Sequence, residues 1–204
     1  MVEKWEAKDK LKPKNVNGIS DKQIDYHFDI HYKGYVNKLN EIWDKLEKVD
    51  RTLANQNYSD YRAMKLEETF NYNGAMLHEI YFGNLTNGSA QIPSALKAQI
   101  ELDFGSYEKW LQDFKAVSTA FRGWAFLVFD LTIGKLRNIG SDAHNQYAIW
   151  NAIVIINLDV YEHAYYVDYG PKRAPYVDAY LSAMNWNDVE LRFKKAKKAF
   201  EAMR

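Results

Sequence analysis

The most informative feature of the composition is what it lacks. The 204 residues contain no cysteine, which excludes disulfides, iron–sulfur clusters, cysteine-held zinc and thiol catalysis. The chain also lacks surplus charge, because 27 Lys and Arg balance 27 Asp and Glu. Neutralising phosphates requires an excess of positive charge, so no nucleic-acid partner is expected. Any metal ion must therefore be held by histidine and carboxylate side chains.

Long apolar runs are lacking as well. The most apolar stretch, 148–160, is interrupted by Asn151, Asn157 and Asp159, and is too short and polar to span a bilayer. The lysine-rich N-terminal residues are not followed by the apolar run that a signal peptide needs. Apolar residues nevertheless make up 47% of the chain, enough for a folded core. The sequence thus predicts a cytoplasmic protein without a membrane partner.

The N-terminal part of the chain has the period of helices. Ser20 followed by Gln23 is typical of a capping box, and apolar residues then recur every three or four positions. This pattern predicts one long helix from residue 20 to about residue 50. A second helical pattern runs over 61–82, and the two helices should form an antiparallel hairpin. A turn at 87–89 is expected to close this domain, which we place at 1–90.

The residue pattern of the rest of the chain, 91–204, differs from that of the N-terminal part and predicts an α/β domain. Three segments are rich in strand-forming residues, and the third of them, IVIINL at 153–158, is apolar on both faces. It is therefore expected to be the central strand of a small three-stranded antiparallel sheet. The predicted fold class is α+β, a helical hairpin followed by this α/β domain. The expected elements are helices near 93–103 and 106–120, strands at 123–130, 135–139 and 153–158, and helices near 160–169, 175–184 and from 188 onward.

Five histidines are present, and four of them lie in or beside apolar stripes. His27 and His31 are four residues apart and share one side of the first helix. His78 falls late in the second helix, which a hairpin places beside the first. Asp159 ends the third strand, and His163 follows it by four residues. One histidine on an apolar face is usually a hydrogen-bonded core residue, but the joint pattern predicts a mononuclear site of imidazoles and one carboxylate.

Missing motifs exclude several other sites. The sequence has no Glu-x-x-His of di-iron bundles and no His-Glu-x-x-His of zinc proteases. It also has no Gly-rich phosphate loop and no Gly-x-Ser-x-Gly nucleophile elbow. Imidazole suits iron, manganese, zinc and copper alike, so the ligand type leaves the metal open.

Several segments closely resemble those of the iron/manganese superoxide dismutase family. The most specific is DVYEHAYY at 159–166, which resembles the family signature Asp-x-Trp-Glu-His-Ala-Tyr-Tyr. The resemblance covers about residues 20 to 190, in the right order. The other matching segments are His27-x-x-x-His31-Tyr32-x-x-Tyr35-Val36-x-x-Leu39, Phe70-Asn71, His78-x-x-Tyr81-Phe82, Gly123-Trp124-Ala125 and Met184-Asn185-Trp186.

This resemblance implies a superoxide dismutase that alternately reduces and oxidises one iron or manganese ion per subunit, with iron favoured. The implied ligands, together with one solvent molecule, are His27, His78, Asp159 and His163.

The resemblance also implies roles for residues around the metal. His31 and Tyr35 would stand at the mouth of the substrate funnel, with Arg173 near it to attract superoxide. Tyr166 would reach His31 of the partner subunit, and Glu162 would contact His163 of the partner subunit. A homodimer at least, and a homotetramer in some relatives, is therefore expected.

Some positions depart from the common family pattern. Tyr161 and Phe82 stand where most members have tryptophan. His144 stands where many manganese enzymes place the glutamine that hydrogen-bonds the metal-bound solvent, and Gly74 where many iron enzymes place it. The pair resembles an archaeal and actinobacterial branch with iron, manganese and metal-tolerant members. The resemblance thus assigns this hydrogen bond to His144 and does not decide between the metals.

Two other functions use the same ligands. A metal-binding structural member without dismutase activity would keep the motif for folding alone. A zinc hydrolase would need a general base beside the site, and the sequence shows no evident one.

Overall fold

The computed structural model describes residues 3–88, 91–146 and 149–204. None of the helices in these ranges is long and apolar enough to cross a membrane. The chain folds into a helical hairpin followed by an α/β unit with a three-stranded antiparallel sheet, which confirms the predicted fold class. The turn predicted at 87–89 includes Ser89, which lies outside the described residues.

The first hairpin helix is continuous, as its apolar period predicts. Ser20 caps its start, because its hydroxyl oxygen accepts a hydrogen bond from the backbone N–H of Gln23 at 3.1 Å. The Gln23 side chain does not complete the predicted capping box, since it bonds to backbone groups far along the chain instead. The helix consists of α1 (Asp21–Asp25), a π-helical segment (Tyr26–Tyr32) and α2 (Lys33–Lys48).

The second hairpin helix, α3, spans Asp60–Gly83 and agrees with the predicted second helix. Ser59 caps it by accepting a hydrogen bond from the backbone N–H of Arg62 at 3.1 Å. Its C-terminal half is buried on nearly all sides, because it packs against the first helix and against the sheet. This buried half carries His78.

The helices and strands that follow α3 agree closely with the predicted order. Gly105 ends the first of these helices in the left-handed conformation, with φ at 88°, and Ser106 caps the next. The elements are α4 (Ser94–Phe104), α5 (Tyr107–Ala120), β1 (Trp124–Asp130), β2 (Lys135–Ser141), β3 (Ala152–Asp159), a 3-10 turn (Glu162–Ala164), α6 (Tyr166–Tyr169), α7 (Arg173–Ser182) and α8 (Trp186–Ala202); shorter 3-10 turns occupy Asp9–Leu11 and Arg51–Leu53.

The order of strands in the sheet corrects one prediction. The order is β2-β1-β3, so β3 is an edge strand of this sheet and the prediction that it is central is wrong. Every residue of the central strand β1 is buried. β3 is apolar on both faces for a different reason: α3 and α8 both pack against it. A strand of apolar residues thus indicates that both of its faces are covered, and it does not indicate that a neighbouring strand pairs with each of its edges.

The chain after β3 also differs from the prediction of one helix over 160–169. Asp159 still pairs with Trp124 in the sheet, so no helix begins there. Its carboxylate instead accepts a hydrogen bond from the backbone N–H of Tyr161 at 2.9 Å, and the 3-10 turn follows. This compact turn brings His163 back over the end of the strand.

Asn84 joins the end of the hairpin to the α/β unit. Its side-chain oxygen accepts hydrogen bonds from the backbone N–H of Asn157 at 3.2 Å and the hydroxyl of Tyr180 at 3.4 Å. Its backbone oxygen accepts from the N–H of Asn185 at 2.7 Å. The hairpin and β3, which carry opposite sides of the site, are therefore held together at their common end.

Candidate metal centre

Four buried side chains meet where the hairpin contacts the end of β3. One potential ligand atom from each lies within 4.8 Å of all the others. Three of the side chains are fully buried, and the fourth, His163, is 16% exposed. They come from the π-helical segment, α3, the last residue of β3 and the 3-10 turn: His27, His78, Asp159 and His163.

The separations within this cluster suit a single ion. Asp159 Oδ2 lies 3.1 Å from His27 Nε2, 3.1 Å from His163 Nε2 and 3.5 Å from His78 Nε2. With metal–ligand bonds of about 2.0–2.2 Å, donor atoms around one ion lie roughly 3 to 4.3 Å apart. The three measured pairs fall in that range.

The orientation of His78 is the clearest sign that the cluster holds a cation. Its Nδ1 lies 2.6 Å from the backbone oxygen of Gly74, so Nδ1 carries the proton and donates it there. Its Nε2 then carries a free lone pair, and this atom is buried and has no hydrogen-bond partner among the described residues. A buried polar atom left unpaired costs about 1–3 kcal/mol, a cost that a bound metal ion removes.

The electrostatics of the cluster favour a ligand set of neutral imidazoles and one carboxylate. Burial lowers the pKa of both His27 and His78, which keeps the two rings neutral. Burial alone would raise the pKa of Asp159, but His163 and His27 hold it well below its usual range. Asp159 is therefore ionised at neutral pH, and an ion of charge two or three would leave the centre net positive.

Gln23 positions the 3-10 turn that carries His163. Its side-chain amide donates to the backbone oxygen of His163 at 2.6 Å and accepts from the backbone N–H of Val167 at 3.2 Å. Gln23 is completely buried. Sequence analysis missed this role, although a glutamine within an apolar stripe of the first helix was a visible signal.

His31 and Tyr35 lie beside the four converging side chains. The ring of His31 stacks on His163 with centroids 4.1 Å apart, and Tyr35 lies tilted against His78 at 5.1 Å. Burial, followed by the nearby His163 and His27, lowers the pKa of His31 to about 4. Burial also raises the pKa of Tyr35 above its ordinary value. Both groups are therefore uncharged at neutral pH, and the phenol keeps its proton.

His144 is buried even though it follows β2 in a polar loop. Its Nδ1 accepts a hydrogen bond from Trp124 Nε1 at 2.9 Å, while its Nε2 is buried without a partner among the described residues. Burial lowers the pKa of His144 to about 4. Its ring packs against Tyr35 and Tyr161, at 4.7 and 5.2 Å between centroids. His144 is thus a neutral group next to the metal cluster.

The glycine in the middle of α3 leaves room for these neighbours. A Cβ at Gly74 would lie 2.9 Å from two ring carbons of Tyr35 and 3.3 Å from Cδ2 of His144. The space beside Gly74 is therefore filled by Tyr35 and His144.

Replacing Gly74 with alanine is expected to destabilise the fold by about 1–3 kcal/mol, because the added methyl group displaces the Tyr35 ring. Helix propensity alone would stabilise the fold by ~1 kcal/mol. A net loss of stability would therefore show that the close contact with Tyr35 outweighs the gain in helix propensity. Gly34→Ala is the matched control: Gly34 lies exposed in α2 with nothing within 4 Å of the added Cβ. Chemical denaturation of equally metal-loaded samples measures both. Equal stabilisation by the two substitutions would contradict the close contact.

The remaining predicted residues lie in two different settings. Arg173, at the start of α7, donates from Nη1 to the backbone oxygens of Phe121 at 2.7 Å and Ser118 at 3.2 Å, at the end of α5. Its attraction of superoxide stays a prediction. Glu162 and Tyr166 are exposed on the surface next to the centre.

The two positions that depart from the family's tryptophans still place aromatic rings against the clustered histidines. Tyr161 stacks on His163 with centroids 5.3 Å apart, and Phe82 lies 5.0 Å from the His27 ring. Aromatic side chains therefore still line the centre at both positions.

Comparison with known proteins assigns this arrangement to a family. A family model described as the alpha-hairpin domain of iron/manganese superoxide dismutases matches residues 7–86. A second, described as the C-terminal domain of the same enzymes, matches residues 92–192. The chain therefore belongs to the iron/manganese superoxide dismutase family.

Individual relatives are similar over nearly their whole length. The chain is 54% identical over 207 residues to a protein of Aquifex pyrophilus named superoxide dismutase (Fe), covering 100% of this chain and 97% of that protein. A protein of the same name from Aquifex aeolicus is 53% identical over the same shares. A protein of Halobacterium salinarum named superoxide dismutase (Mn) 1 is 36% identical, over 90% of each chain. Relatives named for either metal thus resemble this chain.

Proposed function

We propose that this chain is a superoxide dismutase that uses one iron or manganese ion per subunit. The observation that carries the proposal is the buried convergence of three imidazoles on one carboxylate, with the unpaired Nε2 of His78 among them. The relatives named for iron share about half of all residues with this chain, which supports iron as the native metal.

The ion would be held by Nε2 of the three histidines and by Oδ2 of Asp159. When bound, it supplies one-electron chemistry: one superoxide loses an electron and leaves as dioxygen, and a second gains that electron and two protons and leaves as hydrogen peroxide. Burial lowers the pKa of His27 and His78 and so keeps these two imidazoles neutral, and one carboxylate does not cancel the charge of the ion, so the loaded centre stays net positive and attracts a small anion.

The residues around the ion would attract the anionic substrate and supply protons to the product. Tyr35 keeps its phenolic proton, so it carries no negative charge that would repel superoxide. Tyr35 and the neutral His31 are both placed to pass protons to the reduced product. His144 is proposed to hydrogen-bond the solvent molecule at the centre and so tune the potential of the metal. Arg173 is proposed to add positive charge near the entrance.

Metal loading followed by an assay of superoxide consumption tests this function. The full chain is loaded with iron, manganese or zinc, and the metal content is measured for each sample. A dismutase consumes superoxide when loaded with iron or manganese. Binding of one ion without any consumption would instead identify a structural member of the family. Hydrolysis of an ester by the zinc-loaded chain alone would identify the hydrolase.

We also propose a homodimer through the surface that carries Glu162 and Tyr166. The π-helical segment packs against the 3-10 turn there, and large apolar side chains are exposed around it. Ile30 is 61% exposed, Tyr166 50% and Val167 45%. Covering these side chains removes apolar surface from water and encloses the His31–His163 stack. A homotetramer, a cytoplasmic location and the absence of a nucleic-acid partner stay predictions, as does the domain boundary between residues 90 and 91.

Substituting Glu162 with alanine is expected to weaken the dimer and to lower activity in parallel. Its carboxylate is proposed to contact His163 of the partner subunit, so the interface and the metal ligand lose the same hydrogen bond. The expected loss is 10-fold or more in metal affinity or activity, about the usual effect of removing a ligand's hydrogen-bond partner. Sedimentation and metal content measure the two effects. Glu201→Ala, an exposed change near the end of α8, is the control, and an unchanged dimer with full metal content in Glu162→Ala would contradict the role.

A further inference from the structure

The backbone of the proposed ligand Asp159 is held by a hydroxyl group from α7. Asp159 is the last residue of β3, an edge strand of the sheet, and an edge strand presents unpaired backbone groups on its outer side. Tyr176 Oη lies 2.8 Å from the backbone oxygen of Asp159, and both residues are fully buried. A carbonyl oxygen only accepts, so the Tyr176 hydroxyl must donate its proton there. A side chain of α7 thus takes the place of a paired strand at this position.

A second tyrosine completes this contact. Tyr81 lies on α3, three residues after the proposed ligand His78, and its hydroxyl oxygen is 3.1 Å from that of Tyr176. Each hydroxyl has a single proton, and that of Tyr176 is used on Asp159. Tyr81 therefore donates to Tyr176, and its ring also packs against His27 with centroids 4.8 Å apart. The two hydroxyls thus connect α3 with the end of β3.

Three polar groups around Asp159 are fixed by hydrogen bonds. Its backbone oxygen accepts from Tyr176, the N–H of the next peptide donates to the backbone oxygen of Gly123 at 2.8 Å, and side-chain Oδ1 accepts from the backbone N–H of Tyr161 at 2.9 Å. Side-chain Oδ2 is left to face the histidine cluster. The peptide group is planar, so holding both its C=O and its N–H fixes the dihedral angle ψ of Asp159. This angle sets the direction in which the chain leaves β3 toward His163.

We propose that Tyr176 is a positioning residue, whose hydroxyl holds the Asp159 peptide so that Asp159 and His163 are directed toward the metal position before an ion binds. The proposal rests on the proposed function, because it names a residue that arranges the same ligands. Ligand atoms that are already in place do not have to be ordered by the ion, so losing this hydroxyl should weaken metal binding. The loss should be about 10-fold, the lower end of what removing a ligand's hydrogen-bond partner costs.

Stability of the strand edge is the competing explanation for this hydrogen bond. Tyr180, one turn further along α7, is also fully buried and donates to the backbone oxygen of Asn157 on the same strand at 2.6 Å. Tyr176→Phe and Tyr180→Phe each remove one phenolic hydroxyl from β3 and keep the aromatic ring. The two changes should therefore cost similar stability, while only Tyr176→Phe acts on a proposed ligand.

Iron binding and electron paramagnetic resonance of the full chain test the proposal. Competition with a chelator measures the affinity for iron, and the spectrum of the ferric sample reports the symmetry of the ligands around the ion. We expect Tyr176→Phe to bind iron about 10-fold more weakly than the wild type and to show a changed spectrum, and Tyr180→Phe to match the wild type in both. Chemical denaturation of the metal-free samples should show similar losses of stability in the two variants. Identical affinities and spectra in all three chains, or equal changes in both variants, would overturn the proposal.

A second measurement decides the question if Tyr176→Phe does not fold. Directly bonded pairs of ¹³C in aspartate carbonyls and ¹⁵N in valine occur in only two peptides of the chain, 159–160 and 188–189. Comparison with Asp188→Asn identifies the second signal. In the metal-free wild type, the Asp159 carbonyl should show the chemical shift of a hydrogen-bonded group, and a shift typical of a free carbonyl would overturn the proposal.

These measurements separate the role of Tyr176 from the proposed function, because none of them uses superoxide. A chain that binds iron without consuming superoxide would contradict the proposed function alone. A Tyr176→Phe variant that binds iron exactly as Tyr180→Phe does would contradict the positioning role alone. A wild-type chain that binds no iron would contradict both.

Discussion

Asp159→Asn is expected to lose its tightly bound metal and, with it, all superoxide consumption. Asp159 supplies the single carboxylate of the proposed ligand set, and its Oδ2 lies 3.1 Å from the Nε2 atoms of both His27 and His163. Removing a hydrogen-bond partner of a ligand already costs 10–100-fold in metal affinity, so removing an anionic ligand should cost about 100-fold or more. Metal analysis of the purified protein and a superoxide assay measure the two losses.

The substitution is designed to separate metal binding from folding. Asparagine keeps the size of the side chain and the oxygen that accepts from the backbone N–H of Tyr161. Asp130→Asn is the control, because Asp130 is also a buried carboxylate but lies at the opposite end of the sheet, where it bonds to Thr132 and Arg137. We expect that variant to be less stable but fully metal-loaded. One ion per chain and normal activity in Asp159→Asn would contradict the proposed ligand.

The helical part of the fold was predictable because each helix buries one face. The apolar period located both hairpin helices to within two residues of their ends, and Ser20 marked where the first of them begins. The π-helical segment was not predictable, because a slip of one residue in a helix leaves the apolar period almost unchanged over so short a stretch. This segment carries both His27 and His31.

The position of β3 in the sheet was predicted wrongly for a physical reason. Its run of apolar residues shows that both of its faces are covered, and it carries no information on which edges are paired. Contacts with α3 and α8, far apart in sequence, cover those faces. Strand order depends on such contacts, so hydropathy alone cannot give it.

The candidate ligands could be selected from the sequence, but their arrangement could not. The spacing of His27 and His78 on two hairpin helices predicts that they approach each other, and the structure brings them together with Asp159 and His163. Which nitrogen of His78 faces the cluster depends on a hydrogen bond to the backbone of Gly74, which no pattern of residue types records. The contact of Gln23 with the backbone of His163 likewise joins residues 140 positions apart.

Replacing His144 with glutamine is expected to leave the chain folded and to change which metal is active. His144 offers a hydrogen-bonding group beside the centre, with its Nε2 unpaired among the described residues. Glutamine keeps a hydrogen-bond donor but alters its length and geometry, so it shifts the reduction potential while the four proposed ligands stay the same. Tyr35 and His144 fill the space beside Gly74, so α3 supplies no side chain there to replace the lost imidazole.

The iron- and manganese-loaded forms of His144→Gln should therefore change activity by different factors. Each 1.36 kcal/mol of differential stabilisation between the two oxidation states is about a tenfold change, so a shift of this size moves the iron-to-manganese activity ratio by roughly an order of magnitude. Reconstituting each variant with each metal and measuring dismutation gives the ratio directly. Asn145→Gln is the matched control, since Asn145 is the next residue of the same loop and bonds to Thr69 instead. An iron-to-manganese ratio in His144→Gln equal to that of the wild type would show that His144 does not tune the metal.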